Sequence, residues 1–427
     1  MTSPWKQRIY FAILVALAFL FYGGFLNDFF FNDDYAWLLE AKNSSQNLSN
    51  IFTLTISNFF RPLVHLIFLG EYLTFGLKPL GYHMVATLWH GGNAILFYYV
   101  LRDALKVENK ALLRWAPVLW VTQSTYAEAV GWISALTNLS LASTILITFI
   151  GLGRKSFWMF MMGFIVTFFT KEEGAFLFPL VLVYLFMFRD HDWKKTFQSK
   201  ESVWGGSIWV IYLVVQFLIQ KSGPLVVEQI FQLNLDFILR IAEKLLTLFG
   251  NVQAPIGMAW PTLVLLALYG IAIATNTKTN SRKALWFMLI WVVMALIPTS
   301  FLNFDSSATR YLYNAGFGVA FILASLIFSL ERKAVIYTFL GAWMVTHFYM
   351  LQIADSFLEF KGDQGKELVS QITQIIEAKP QAVFNFINPP YAPPAMQALM
   401  QVYFKVEADR LLFNQNESEN FINLVWE

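Results

Sequence analysis

A chain of 427 residues that is 57% hydrophobic and 14% charged falls well below the roughly 25% charged residues of a soluble domain, so it reads as an integral membrane protein with many spans. A net charge of +2 leaves no strongly basic surface for nucleic acid. The absence of cysteine excludes disulfides, thiolate catalysis and cysteine-ligated metal or iron–sulfur centres.

The first element is an apolar run after Lys6 and Arg8, about 20 residues long and so able to span a bilayer. No small-residue cleavage site follows it, which makes it an expected signal anchor. Further apolar spans are expected at 82–101, 111–127, 135–151, 156–170, 174–188, 203–220, 260–275, 284–301, 314–330 and 334–353, in addition to 9–26, about eleven in all. The spans at 156–170 and 174–188 are short and suit tilted or re-entrant helices.

Charge in the connections orients them. Lys6 and Arg8 precede the first span; Arg102, Lys106, Lys110 and Arg114 follow the second; Arg154 and Lys155 the fourth; Arg189, Lys194, Lys195 and Lys200 the sixth; Lys278, Arg282 and Lys283 the eighth; Arg332 and Lys333 the tenth. Every second connection is basic, so the positive-inside rule puts these, and the N-terminus, in the cytoplasm. Both flanks of 156–188 are basic, which requires a break within it. The odd count places residues 354–427 outside. Two outer segments, 48–76 and 226–250, read as amphipathic helices lying in the interface. In the tail, KELVSQITQIIEA reads as an amphipathic helix and AVFNFI as a short strand. The expected architecture is thus an all-α polytopic membrane domain, 1–353, and a small extracytoplasmic α/β tail, 354–427.

The unusual charges also have a side. By this parity, Asp33, Asp34, Arg61, Glu71, Glu128, Lys171, Glu172, Glu173, Asp305 and Arg310 all lie outside, and no span carries a carboxylate or lysine near its middle. A proton-coupled carrier would place ionisable groups near the midplane. Asp33 and Asp34 directly follow the first span. One suits a general base towards a hydroxyl, and the other suits orienting the acceptor or holding a divalent cation; Asn-Asp-Asp is also ordinary turn and cap chemistry. Arg61, before Pro62, can pair with a phosphate or snorkel to headgroups. His65, His83 and His90 are too widely spaced to form a metal set. Glu128 near the outer end of the third span can line a site or simply end a helix. Lys171, Glu172 and Glu173 separate two apolar runs, as a tight turn also would. Arg310 and Tyr311 stand at the mouth of the tenth span, where arginine can bind an anionic leaving group or anchor the interface.

The order of these segments resembles one superfamily. After the acidic pair come FRPL, YLTFGLKPLGYHMV, WHGGNAILFYYVLR, YAEAVGWISALTNL, TKEEGAFLFPLVL and TRYLYNAGF. Over about residues 1–330 this is similar to the GT-C membrane glycosyltransferases. Within them it is nearest to the lumenal O-mannosyltransferases that carry TPR repeats, and more distantly similar to protein O-mannosyltransferases and the lipid A aminoarabinose transferase. The resemblance implies transfer of a sugar from a polyprenyl-phosphate carrier to a glycan, protein or lipid acceptor outside the cytoplasm, and the expected location is a bacterial inner membrane ahead of an endoplasmic reticulum. It also implies that Asp33 and Asp34 match the acidic pair of the first outer loop, Lys171–Glu172 the Lys-Glu pair before a helix, and Arg310–Tyr311 the Arg-Tyr pair before a late helix. No repeat array follows the last span, which departs from the nearest branch and leaves the acceptor open.

Asp33 is then the leading base, with Asp34 orienting the acceptor or holding a metal, or the two exchanged. Arg310 and Lys171 are the leading phosphate ligands, followed by Arg61, and direct displacement inverts the anomeric carbon. A flippase or transporter for lipid-linked sugar, an oligosaccharide ligase and a non-catalytic envelope subunit are the competing readings.

Overall fold

The computed structural model describes residues 3–55, 59–221, 236–250, 279–300, 308–330, 332–414 and 422–425. The expected span at 260–275 and the first part of the expected interfacial helix at 226–250 lie outside them.

Among the described residues the chain is largely helical. The helices in order are α1 Pro4–Tyr22, α2 Asp34–Gln46, α3 Pro62–Phe75, α4 Pro79–Tyr99, α5 Lys110–Val121, α6 Ala127–Gly131, α7 Leu136–Gly153, α8 Phe157–Thr167, α9 Leu177–Leu185, α10 Trp193–Gln198, α11 Lys200–Lys221, α12 Asp236–Gly250, α13 Thr279–Ser300, α14 Gly316–Ser329, α15 Lys333–Ala378 and α16 Pro393–Phe404. Five segments are long and apolar enough to cross a membrane: Pro4–Asn27, Ile133–Gly153, Lys200–Ile219, Arg282–Ser300 and Lys333–Ala378. This fits an all-helical membrane protein. Ile133–Gly153 is 94% buried and Lys200–Ile219 only 11%, so α7 is a central helix and α11 faces outward. The break expected within 156–188 falls between Thr167 and Leu177, and both flanking helices are short.

Lipid offers no hydrophobic drive between helices, so close packing and polar contacts must hold them together. The α7–α8 hairpin illustrates this. Residue 163 is glycine, and a Cβ there would lie 2.7 Å from both the backbone nitrogen and the hydroxyl of Thr148. Small residues let the two backbones meet. At the centre, His90 of α4 turns Nε2 to the Val121 carbonyl at 3.0 Å and Nδ1 to the Tyr313 hydroxyl at 2.8 Å, and Asn93 also reaches Tyr313 at 3.2 Å. A carbonyl can only accept, so His90 carries its proton on Nε2 and knits α4, α5 and the turn before α14 together as a structural group.

The bundle has two chemically different ends. At one, Asp103 pairs with Arg102 and Arg154 at 2.5 and 2.7 Å, Lys106 reaches the Gly153 carbonyl, and Lys283 lies 3.4 Å from His191. These are the basic connections that alternate in the sequence. At the other end α1, α5 and α13 finish, α7, α9 and α14 begin, and the acidic residues gather.

The last helix differs from expectation. Its apolar part and the amphipathic KELVSQITQIIEA segment form one helix, α15, 46 residues long, so residue 353 lies inside a helix and not at its end. Gly362 and Gly365 lower helix propensity, but they carry a tertiary contact. A Cβ at 362 would lie 2.8 Å from the Phe29 nitrogen, and one at 365 would lie 2.5 Å from the Phe30 carbonyl. Beyond α15, strand β1 Phe384–Ile387 pairs in parallel with β2 Leu411–Phe413 and β3 Ile422–Val425, in the order β2-β1-β3. AVFNFI therefore supplies the central strand. Helix α16 packs on α2, where Lys42 donates to the carbonyls of Gln401 and Val402 at 2.8 and 3.1 Å, caring for the open end of α16.

Candidate functional site at the acidic end of the bundle

Asp33 and Asp34 share a sequence dipeptide but not an environment. Asp34, in the first turn of α2, is 1% exposed. Its Oδ1 accepts from the backbone nitrogen of Ser134 at 2.8 Å and from the Ser134 hydroxyl, and its Oδ2 accepts from Phe31 nitrogen at 3.1 Å. Burial pushes its carboxyl up to about 7 despite those donors. It staples the start of α2 to the entry of α7. Asp33 is exposed, and its carboxylate has no hydrogen-bond partner among the described residues. Partial desolvation by the surrounding protein raises its pKa above the usual 3.8, while Arg310 and Arg61 pull it back down.

Three ion pairs are built at the same end of the bundle. Arg61, at the start of α3, grips Glu172 with two nitrogens, at 3.1 Å from Nε and 2.6 Å from Nη2. Burial opposes the charge of Glu172, yet Arg61 and Lys171 hold its carboxyl below the ordinary value. Lys171 pairs with Glu173 at 2.5 Å and donates to Asn138 at 2.7 Å, with its ammonium 4.6 Å from the Tyr311 ring. Burial lowers its pKa. Arg310 pairs with Glu128 on α6, and its backbone nitrogen donates to the same carboxylate at 2.9 Å. Its guanidinium lies 4.9 Å above Trp132 and 4.7 Å above Tyr311.

Backbone and ring contacts lock these pieces together. Trp132 stacks on Phe31 at 5.6 Å, which ties Arg310 to the acidic loop. The Leu63 nitrogen donates to the Phe169 carbonyl at 3.1 Å, which ties Arg61 to the turn bearing Lys171 and Glu172. Eight of the residues singled out in the sequence, Asp33, Asp34, Arg61, Glu128, Lys171, Glu172, Arg310 and Tyr311, thus fall in one contiguous cluster, although they span 279 positions of the chain, whereas Asp305 lies outside the described residues.

The pairing differs from the sequence grouping. Lys171 and Glu172 do not pair with each other: Lys171 takes Glu173, and Glu172 takes Arg61. Glu128 is not on the expected third span either, because α5 ends at Val121 and Glu128 sits on a separate one-turn helix. Sequence reasoning missed Ser134, Asn138 and Trp132. Ser134 and Asn138 stand four apart in a nearly wholly buried apolar stretch, and that spacing is a readable signal of a polar stripe.

Asp34 is a poor metal ligand in this arrangement, since N–H or O–H donors already occupy both of its oxygens. Among the described residues no group of three or more histidines and carboxylates is placed to hold a metal ion, and no step below is routed through one. No family model matches the chain, and no curated protein matches it.

Proposed function

We propose that this chain is a GT-C type glycosyltransferase, with about eleven spans, that moves a sugar from a polyprenyl-phosphate carrier to a hydroxyl acceptor outside the cytoplasm. One observation carries the reading: an accessible carboxylate, Asp33, without a side-chain hydrogen bond among the described residues, feels the positive charge of two guanidiniums, Arg310 and Arg61, at the acidic end of the bundle. A base needs access and a pKa raised towards the working pH, and Asp33 has both. A departing phosphate needs fixed positive charge in a site of low dielectric, and Arg310 and Arg61 supply it.

In this reaction Asp33 takes the proton of the acceptor hydroxyl as its oxygen attacks the anomeric carbon. The bond from that carbon to the phosphate oxygen breaks, the electron pair leaves on the polyprenyl phosphate, and the configuration inverts. Asp34 holds the loop that aims Asp33. Glu128 and Glu172 orient the guanidiniums, and Tyr311 and Trp132 bracket Arg310.

The test uses purified full-length protein in lipid nanodiscs, supplied with polyprenyl-phosphate sugars and envelope acceptors. Asp33→Asn is expected to lose transfer by about 10²–10⁴-fold with its thermal stability kept. Full transfer by Asp33→Asn removes the carboxylate mechanism. Movement of labelled lipid across vesicles without a new glycosidic bond would instead favour a flippase.

A further inference from the structure

Each of the three cations assigned above already has a carboxylate: Arg61 with Glu172, Lys171 with Glu173, and Arg310 with Glu128. Each pair is neutral overall, so a further cation beside them would add to the charge that Arg310 and Arg61 offer a phosphate ester.

Helix α12 brings one. On an amphipathic helix in the interface, basic side chains ordinarily reach for water or headgroups. Lys244 turns towards the bundle instead. Its ammonium donates to the hydroxyl of Thr299 at 3.0 Å and lies 3.5 Å from that of Ser300. Both hydroxyls are buried and are anchored on the Leu296 carbonyl at 3.1 and 2.8 Å. They stand in the last turn of α13, where the helix dipole favours a cation without neutralising it. Among the described residues Lys244 has no carboxylate within ion-pair distance. Glu173, the partner of Lys171, is the largest favourable charge it feels, and Arg240, one turn back on α12, repels it. Burial lowers the Lys244 pKa to about 8, which a bound anion would reverse.

We infer that Lys244, seated on Thr299 and Ser300 beside the Lys171–Glu173 pair, binds the phosphate of an anionic lipid, the donor's polyprenyl monophosphate. The assignment rests on the transferase reading for the identity of the lipid but concerns binding alone. Lysine suits this role as a point charge on a flexible stem.

The experiment measures binding to full-length protein in phosphatidylcholine nanodiscs, using a polyprenyl monophosphate, the matching polyprenol without phosphate, phosphatidylglycerol and inorganic phosphate. Wild-type protein is expected to prefer the polyprenyl phosphate to the polyprenol by at least about tenfold, roughly 1.4 kcal/mol, and to show little preference for the other two phosphates. Lys244→Met is expected to lose most of that preference and Lys244→Arg to keep it. Unaltered preference in Lys244→Met, or no preference in the wild type, overturns the inference. Stronger binding of phosphatidylglycerol or inorganic phosphate overturns the polyprenyl assignment. Loss of binding in Lys244→Met alongside full transfer by Asp33→Asn keeps the phosphate site and removes the carboxylate mechanism, so the two failures are distinguishable.

Discussion

At the residue scale, neighbouring carboxylates divide their work by environment. Asp34→Asn can no longer accept from both the amide and the hydroxyl of Ser134 with the same charge-assisted strength. It is expected to lower the melting temperature, whereas Asp33→Asn is not; a melt of the two variants in detergent checks this. A second buried carboxyl gives a pH signature. Asp28 is 3% exposed, and burial together with Asp355, Glu359 and Asp363 pushes its carboxyl to about 8. The native state then holds a proton that the unfolded chain releases near pH 4, so stability falls as pH rises from about 4 to 8. Wild-type protein is expected to lose melting temperature between pH 6 and pH 9, and Asp28→Asn to lose less. Equal losses would contradict the placement of Asp28. The carboxylates at 33 and 34 were visible in the sequence as a pair, but their division of labour was not, because Asp34's partner lies 100 positions away.

At the element scale, α15 links the C-terminal tail to the acidic loop. Phe29 and Phe30 press on Gly362 and Gly365, and Tyr391 donates to the Lys361 carbonyl at 2.8 Å. A Cβ at 365 would also lie 2.8 Å from the Tyr391 hydroxyl. Gly365→Ala should therefore push the loop that carries Asp33. Since a displacement of about 1 Å can cost about 10²-fold in rate, this variant is expected to fold yet transfer sugar at least tenfold more slowly. Full transfer would separate the tail from the site. The contact that holds these two glycines in a helix is not legible in the sequence, because propensity is local and the contact that outweighs it is not. The strand AVFNFI was legible from its apolar, β-favouring residues, but its parallel partners at 411–413 and 422–425 follow from tertiary pairing.

At the scale of the whole molecule, the basic connections gather at one end of the bundle and the acidic cluster at the other. Reporters fused after residue 110 are expected to be active in the cytoplasm, and those after 225 and 353 outside it. A cytoplasmic 353 would overturn the span count and the side assigned to the site. Charge alternation made this polarity legible because it is written in the order of the connections and depends on no side-chain contact.

A family resemblance grouped the eight candidate residues, and the sequence by itself determined that apolar segments long enough to cross a membrane recur along the chain and that its connections alternate in charge. Those properties depend on composition, length and order. The tertiary structure alone decided which carboxylate is free, which cation meets which acid, and that Lys244 faces the cluster. Packing brings distant segments within 3 Å of one another, and burial then gives identical side chains different chemistry.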